Sequence, residues 1–242
     1  MAITSATLEK LKKYDSPTIC NVIELFDVRS RSQGYMDHRI RSNYPTFPPM
    51  VGFASTASFR SSFEPPRADA YGSITEQLKH MQTLPGPAVM VFQDLDDLAV
   101  GATFGEVMCS TYKGFGSAGL ITSGGGRDLE QVRALQYPVF TASTIVSHAY
   151  CHILHVGQPV CVGGLPVFSG DLLHGDANGV TNIPLDIATE VADICEPFVQ
   201  AEEIIMTYVK EPGQKSPDEF ARRQAECKNA MAELRKRVSR KR

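Results

Sequence analysis

The sequence predicts an α/β domain with helices at both ends, on three observations. First, a continuous apolar run at residues 88–92 has the length of a strand buried on both faces. Second, helical and strand patterns alternate between residues 101 and 142, as they do in parallel-sheet units. Third, four strand-sized segments at 159–162, 165–168, 171–174 and 180–183 add a β-rich stretch to the same domain. The chain of 242 residues is 43% hydrophobic and 21% charged, enough for a sizeable core.

The elements follow in order. A helix is expected over 5–13. Ser16-Pro17 reads as an N-cap with proline at the first helical position, opening a second helix through Phe26. Residues 28–49 are polar and Pro-bearing, hence loop. Small and β-branched residues predict a strand over 51–60. Tyr71, Ile74, Leu78 and Met81 recur at helical spacing. The strand at 88–92 ends in a turn at Asp94-Leu95-Asp96-Asp97. Helix is expected at 103–113, strand at 119–122, helix at 128–135 and strand at 139–142. Asn178-Gly179 between two apolar runs signals a hairpin. A long amphipathic helix spans 186–209. Ser216-Pro217-Asp218-Glu219 is a capping box that opens a last helix. Its apolar stripe is Phe220, Cys227, Met231, Leu234 and Val238. Six of the last eight residues are Lys or Arg, and they read as a solvated end on a docked helix. The division expected is a body of residues 1–210 and a helical extension of 211–242.

Composition narrows the functional classes. A formal net charge of −3 argues against a broad nucleic-acid surface. No apolar run approaches a membrane span, and no apolar h-region marks the N-terminus. The six cysteines are scattered, with no CxxC pair. That pattern suits reduced thiols in a cytoplasm, rather than a disulfide framework or a cysteine zinc site. Gly114-Phe115-Gly116-Ser117-Ala118-Gly119 matches GxGxxG, but its helix precedes it and its strand follows. A dinucleotide site needs the reverse order. His148, His152 and His155 could bind zinc on a helix, yet the stretch reads as strand or loop.

One segment carries stronger chemistry. Ser123-Gly124-Gly125-Gly126-Arg127-Asp128 follows a buried strand. Read as a loop, its glycines would expose amides for an anion. Arg127 can hold a carboxylate with two parallel bonds, and Asp128 is a hard oxygen ligand for a divalent cation. Alternatively, Asp128 caps the following helix and Arg127 pairs with it.

In context, these residues resemble the RraA-like family. The resemblance is carried by Gly101-Ala102-Thr103-Phe104-Gly105-Glu106, by Gly116 to Asp128, by Val162-Gly163-Gly164-Leu165-Pro166-Val167, by Gly170-Asp171, and by Gly175-Asp176-Ala177-Asn178-Gly179-Val180. It covers residues 16 to 210. The family includes 4-hydroxy-4-methyl-2-oxoglutarate aldolases and a regulator of RNA degradation, and it long carried a menaquinone methyltransferase label. Its aldolases share an acidic residue, twenty intervening residues, then Arg-Asp; here these are Glu106, residues 107–126, and Arg127-Asp128. Ser123, Asn21 and Gly126 depart from the common pattern.

The resemblance implies a three-layered β/β/α swivelling-type domain, assembled as a trimer or hexamer. It implies a metal-dependent aldolase that cleaves 4-hydroxy-2-oxo dicarboxylic acids to pyruvate, with oxaloacetate decarboxylation as a side activity. Asp128 would ligate Mg²⁺ or Mn²⁺ directly and Glu106 through water. Arg127 would bind substrate oxygens, and the amides of Glu106, Val107 and Met108 after Gly105 would bind the carboxylate. Glu202 or Glu203 of a neighbouring subunit would complete the site. The partners expected are thus an oxo acid and further copies of the chain, with neither nucleic acid nor membrane. The alternative is a non-enzymatic, protein-binding regulator of the same fold.

Overall fold

The computed structural model describes residues 3–65 and 73–240. Tyr71, expected on a helix, lies outside them. Two compact units emerge, one running from Gly34 to Leu185 and the other built from the segments on either side of it.

In the central unit the strands are β1 (Arg41–Ser42), β2 (Met50–Arg60), β3 (Ala88–Asp94), β4 (Ala102–Phe104), β5 (Gly119–Gly126), β6 (Val139–Thr144), β7 (His152–Val156), β8 (Val160–Val162), β9 (Leu165–Val167), β10 (Leu172–Asp176) and β11 (Gly179–Ile183). Nine of them form a mixed sheet in the order β1-β6-β5-β3-β2-β10-β11, with β4 on β5 and β7 on β2. β6, β5, β3 and β2 run parallel to one another, while β1 and β10 flank them antiparallel. β8 and β9 make a separate hairpin.

Side-chain alternation along β3 explains the layering. Met90 and Phe92 point into one core with Phe59, Tyr112, Val132 and Tyr137. Val89 and Val91 point into another with Ile121, Val160, Val162 and Val167. The first core is closed by the helices α3 (Ile74–Met81), α4 (Glu106–Gly114) and α5 (Leu129–Ala134), the second by the β8–β9 hairpin. Small sheet, large sheet and helices are the three layers expected. Being buried on both faces, β3 is apolar without a break over residues 88–92.

The outer unit is helical, with α1 (Ser5–Leu11), α2 (Ser16–Leu25), α6 (Ala188–Lys210) and α7 (Pro217–Val238). Asp15, not Ser16, is the N-cap of α2, because its carboxylate accepts from the Thr18 amide at 2.9 Å. Ser216 caps α7, accepting from the Glu219 amide at 3.4 Å. The capping box does not close. The Glu219 carboxylate turns to Arg222 and Arg223, and the Ser216 amide donates to the Tyr208 hydroxyl at 2.7 Å.

α7 docks through Cys227, Leu234 and Val238, all buried, while Phe220 stays 39% exposed. Its basic end is tied down. Arg235 forks onto Asp27, Ser239 donates to the same carboxylate at 3.0 Å, and the Arg240 amide donates to the Phe26 carbonyl at 2.7 Å. Arg240 also pairs with Glu190. The helix is docked as the sequence suggested, but its basic end is held in ion pairs rather than simply solvated.

Two other readings change. Residues 103 and 104 are strand, not helix, because β4 pairs with β5 and is wholly buried. Residues 123–126 are not a loop either, and belong to β5. None of Gly124, Gly125 and Gly126 has positive φ, so they form no anion-binding nest. They are glycines for want of space. An added Cβ would sit 2.7 Å from Phe59 Cζ at position 124, 2.8 Å from Ile145 Cγ1 at 125 and 2.3 Å from Phe104 Cζ at 126.

Candidate active site

Parallel pairing of β4 with β5 brings the two halves of the motif together. Ala102 lies opposite Gly125, and Phe104 opposite Gly126. Both strands therefore end side by side, and the Arg127 amide donates to the Phe104 carbonyl at 3.2 Å. The chain leaving β4 is Gly105-Glu106, and the chain leaving β5 is Arg127-Asp128. Residues with twenty others between them in sequence thus meet at the carboxyl ends of adjacent parallel strands, where open α/β sheets bind their ligands.

Gly105 is the extended N-cap of α4 and offers no side chain to the helix. Asp128 fills that role from the neighbouring strand, its Oδ2 accepting from the Glu106 amide at 3.0 Å. Asp128 has φ 55° and ψ 40°, a left-handed conformation that Asp tolerates better than most residues. It makes no side-chain cap on its own helix, α5. Arg127 Nε stands 3.9 Å from Asp128 Oδ2, beyond hydrogen-bond reach. Asp128 therefore does not cap its own helix, and its contact with Arg127 is an ion pair without a hydrogen bond.

Several groups remain open to a ligand. The first helical bond of α4 runs from the Cys109 amide to the Gly105 carbonyl at 3.1 Å. The Val107 and Met108 amides have no acceptor among the described residues, and neither does the guanidinium of Arg127. The Glu106 amide, expected to be free, is taken by Asp128. The Glu106 side chain is exposed. Asp128 keeps Oδ1 without a protein partner among the described residues, and its side chain is 39% exposed. An anion-seeking helix end and a fork-shaped cation thus stand beside a carboxylate with one oxygen to spare.

Neighbouring groups are less available. Burial, then the charge of Asp128, pushes the Cys109 thiol far above its ordinary range, so it is no nucleophile at neutral pH. The 310 Å³ cavity bordered by Asp94, Asp96, Asp97, Ser123, Arg39 and Cys161 does not include Arg127 or Asp128. Ser123 spends its hydroxyl on the Asp94 amide at 2.9 Å. Burial raises the Asp94 carboxyl, and its Oδ2 is buried without a partner.

The remaining candidates are on other elements. Glu202 and Glu203 are on α6 in the helical unit, where burial first and then the charges of Asp15 and Glu203 raise the Glu202 carboxyl. His152 and His155 are on β7, whose extended backbone denies His148 and His152 a common helical face. Each of the three histidines holds a near acceptor or hydroxyl, at Ala149, Tyr150 and Ser58 respectively. Among the described residues, no three His, Cys, Asp or Glu side chains converge as metal ligands. No described helix is long and apolar enough to cross a membrane.

A family model described as RraA-like, aldolase/RraA, matches residues 18–181. A Halalkalibacterium halodurans protein named "Putative 4-hydroxy-4-methyl-2-oxoglutarate aldolase" is 33% identical over 117 residues, which are 48% of this chain and 55% of that one. The chain thus spans about half the length of this curated relative. Streptomyces coelicolor RraAS2, described as an unusual member of the RNase ES inhibitor RraA protein family, superposes with a TM-score of 0.67 at 22% identity, over 83% of this chain and 95% of its own. A Pseudomonas syringae pv. tomato protein superposes at 0.69 and 19% identity, over 93% and 95%. These two structures establish the fold.

Proposed function

The chain belongs to the RraA-like family, and we propose that within it this protein is a divalent-metal-dependent aldolase. It cleaves 4-hydroxy-2-oxo dicarboxylic acids to pyruvate and a second oxo acid, and decarboxylates oxaloacetate as a side activity. The observation that carries this reading is the meeting of Arg127, Asp128 and the α4 N-terminus at the ends of β4 and β5.

The donor set fits a hard divalent cation. One oxygen of Asp128 is held by the Glu106 amide and the other is unengaged. With so few protein ligands the coordination shell would be mostly water, which would suit Mg²⁺ or Mn²⁺, and Glu106 would hold one such water. When bound, the cation supplies Lewis-acid stabilisation of charge developing on the 2-oxo oxygen.

The chain's own residues do the rest. The Val107 and Met108 amides bind the substrate carboxylate at the helix end. Arg127 orients the oxo-acid oxygens through its planar fork of donors, which offers no acceptor and does not serve as a base. A water held by Glu106 takes the proton of the 4-hydroxyl as the C3–C4 bond breaks. The departing electron pair moves toward the 2-oxo group, and a proton returned to C3 completes pyruvate. Glu202 or Glu203 from a neighbouring copy, in a trimer or hexamer, contributes a further carboxylate.

A protein-binding regulator would not need a guanidinium and a spare carboxylate oxygen side by side at this point. Pyruvate release from oxaloacetate and from 4-hydroxy-4-methyl-2-oxoglutarate tests the proposal. Release in the presence of Mg²⁺ that stops with chelator supports it; no release from either substrate at saturating Mg²⁺ or Mn²⁺ refutes it.

A further inference from the structure

Gly105 occupies a position where no side chain fits. An ideal Cβ there would stand 2.5 Å from Asp128 Oδ2, 3.1 Å from Arg127 Nε and 3.4 Å from Arg127 Cγ. Its backbone is an ordinary extended one, so handedness does not demand glycine; space does. The three atoms crowding the position all belong to the Arg-Asp pair. We propose that Gly105 is a positioning residue for that pair: its missing Cβ is the gap into which the Asp128 carboxylate docks on the end of α4.

The direction of yielding can be worked out. α4 cannot retreat easily. Its own Cys109 and Tyr112 are fully buried, and the Tyr112 hydroxyl is bonded to Gln77 at 2.5 Å inside the core. The backbone of the pair is also held, by the Arg127 amide on Phe104 and by the Val132 amide on the Asp128 carbonyl at 2.9 Å. What can move is the short Asp128 side chain, by rotation about its own bonds. A methyl at position 105 therefore expels the carboxylate from the Glu106 amide while the fold stays intact. The expelled carboxylate loses its fixed direction, and with it the orientation of the oxygen left for a cation. Only this last consequence rests on the aldolase reading.

Gly105→Ala tests the inference, with Gly114→Ala as the control on the same helix, since a Cβ at 114 meets nothing within 4 Å. Crystal structures of the parent and Gly105→Ala give a readout independent of metal and activity. The separation of Asp128 Oδ2 from the Glu106 amide, 3.0 Å in the parent, should exceed 3.5 Å in the variant. In solution, Mn²⁺ affinity should fall at least about tenfold in Gly105→Ala, with a helical circular dichroism spectrum like the parent's and no change in Gly114→Ala. In turnover, the Mn²⁺ concentration giving half-maximal rate should rise while much of the maximal rate returns at saturation, a split that general destabilisation does not produce. A carboxylate still on the Glu106 amide in Gly105→Ala would overturn the inference, as would unchanged Mn²⁺ affinity. A parent that binds Mn²⁺ but releases no pyruvate would sink the aldolase reading and leave the positioning role standing.

Discussion

Replacing Asp128 by Asn removes one negative charge and keeps the shape, the hydrogen-bond acceptor and the tolerance for left-handed backbone. The proposed function gives Asp128 a second duty beside the one the structure shows, and this substitution divides them. One duty is the cap on α4 through Oδ2, at 3.0 Å from the Glu106 amide. A hydrogen bond to a charged partner contributes about 1.5–3 kcal/mol when shielded from water. With the side chain 39% exposed, solvent screening brings the figure to about 1 kcal/mol. Asn retains the acceptor, so its loss should be below about 1 kcal/mol, or roughly 2–4 °C in melting temperature for a chain of this size. Asp128→Ala loses the acceptor and places Ala at φ 55°, which adds about 1 kcal/mol and brings the total near 2 kcal/mol. The second duty is the cation. Hard divalent ions bind carboxylates far better than amides, so Mn²⁺ affinity and turnover should collapse already in Asp128→Asn. Thermal melting by circular dichroism and Mn²⁺ titration, on the same three proteins, read the two duties separately. If Asp128→Asn binds Mn²⁺ and releases pyruvate like the parent while Asp128→Ala is merely less stable, Asp128 is a helix cap alone and the metal assignment is wrong.

Other outcomes follow from the same geometry. Arg127→Lys keeps the charge but loses the planar fork, so it should bind Mn²⁺ normally yet lose about a hundredfold in turnover; parental turnover would remove Arg127 from the substrate. Gly126→Ala forces a Cβ to 2.3 Å from Phe104 Cζ and should cost about 1–3 kcal/mol in a melting experiment, together with activity, because position 126 precedes Arg127. Burial holds the His80 imidazole below its ordinary 6.5, so the folded state binds that proton less tightly than the unfolded state. His80's contribution is therefore intact above about pH 6.5 and is lost as pH falls through and below it; His80→Gln should flatten this part of the melting profile, and an unchanged slope would show that His80 does not set it. Native mass measurement should find a trimer or a multiple of three, and a clean monomer at micromolar concentration would exclude any site shared between copies.

Much of the fold was legible because its signals are local. The unbroken apolar run of β3 announces a strand buried on both faces, and the Asn178-Gly179 pair announces the β10–β11 hairpin. What escaped depended on partners remote in sequence. Thr103 and Phe104 look helical beside α4, yet their pairing with β5 makes them strand. Ser16 looks like a cap, but a carboxylate one residue earlier reaches the same amides. Glu219 looks like half of a capping box, but two arginines at the next turn compete for it, and Tyr208 takes the Ser216 amide instead.

The candidate site shows the same division more sharply. Arg127 and Asp128 could be picked out from residue types, as a fork-shaped cation and a hard oxygen ligand, whereas Glu106 stood out only through the family resemblance. The reason for their spacing was not readable, because it is the path from the end of β4, through α4 and β5, back to the end of β4. The glycines before Arg127 suggested an anion-binding loop. They are instead three positions in a buried strand where Phe59, Ile145 and Phe104 leave no room for a Cβ. The left-handed residue is the next acid along, Asp128, whose turn out of the strand aims its carboxylate back at α4 rather than at its own helix. A glycine in sequence says only that a side chain is absent. Whether the absence serves a turn or a close neighbour is decided by what the fold brings to it, and at position 105 that neighbour is the Arg-Asp pair itself.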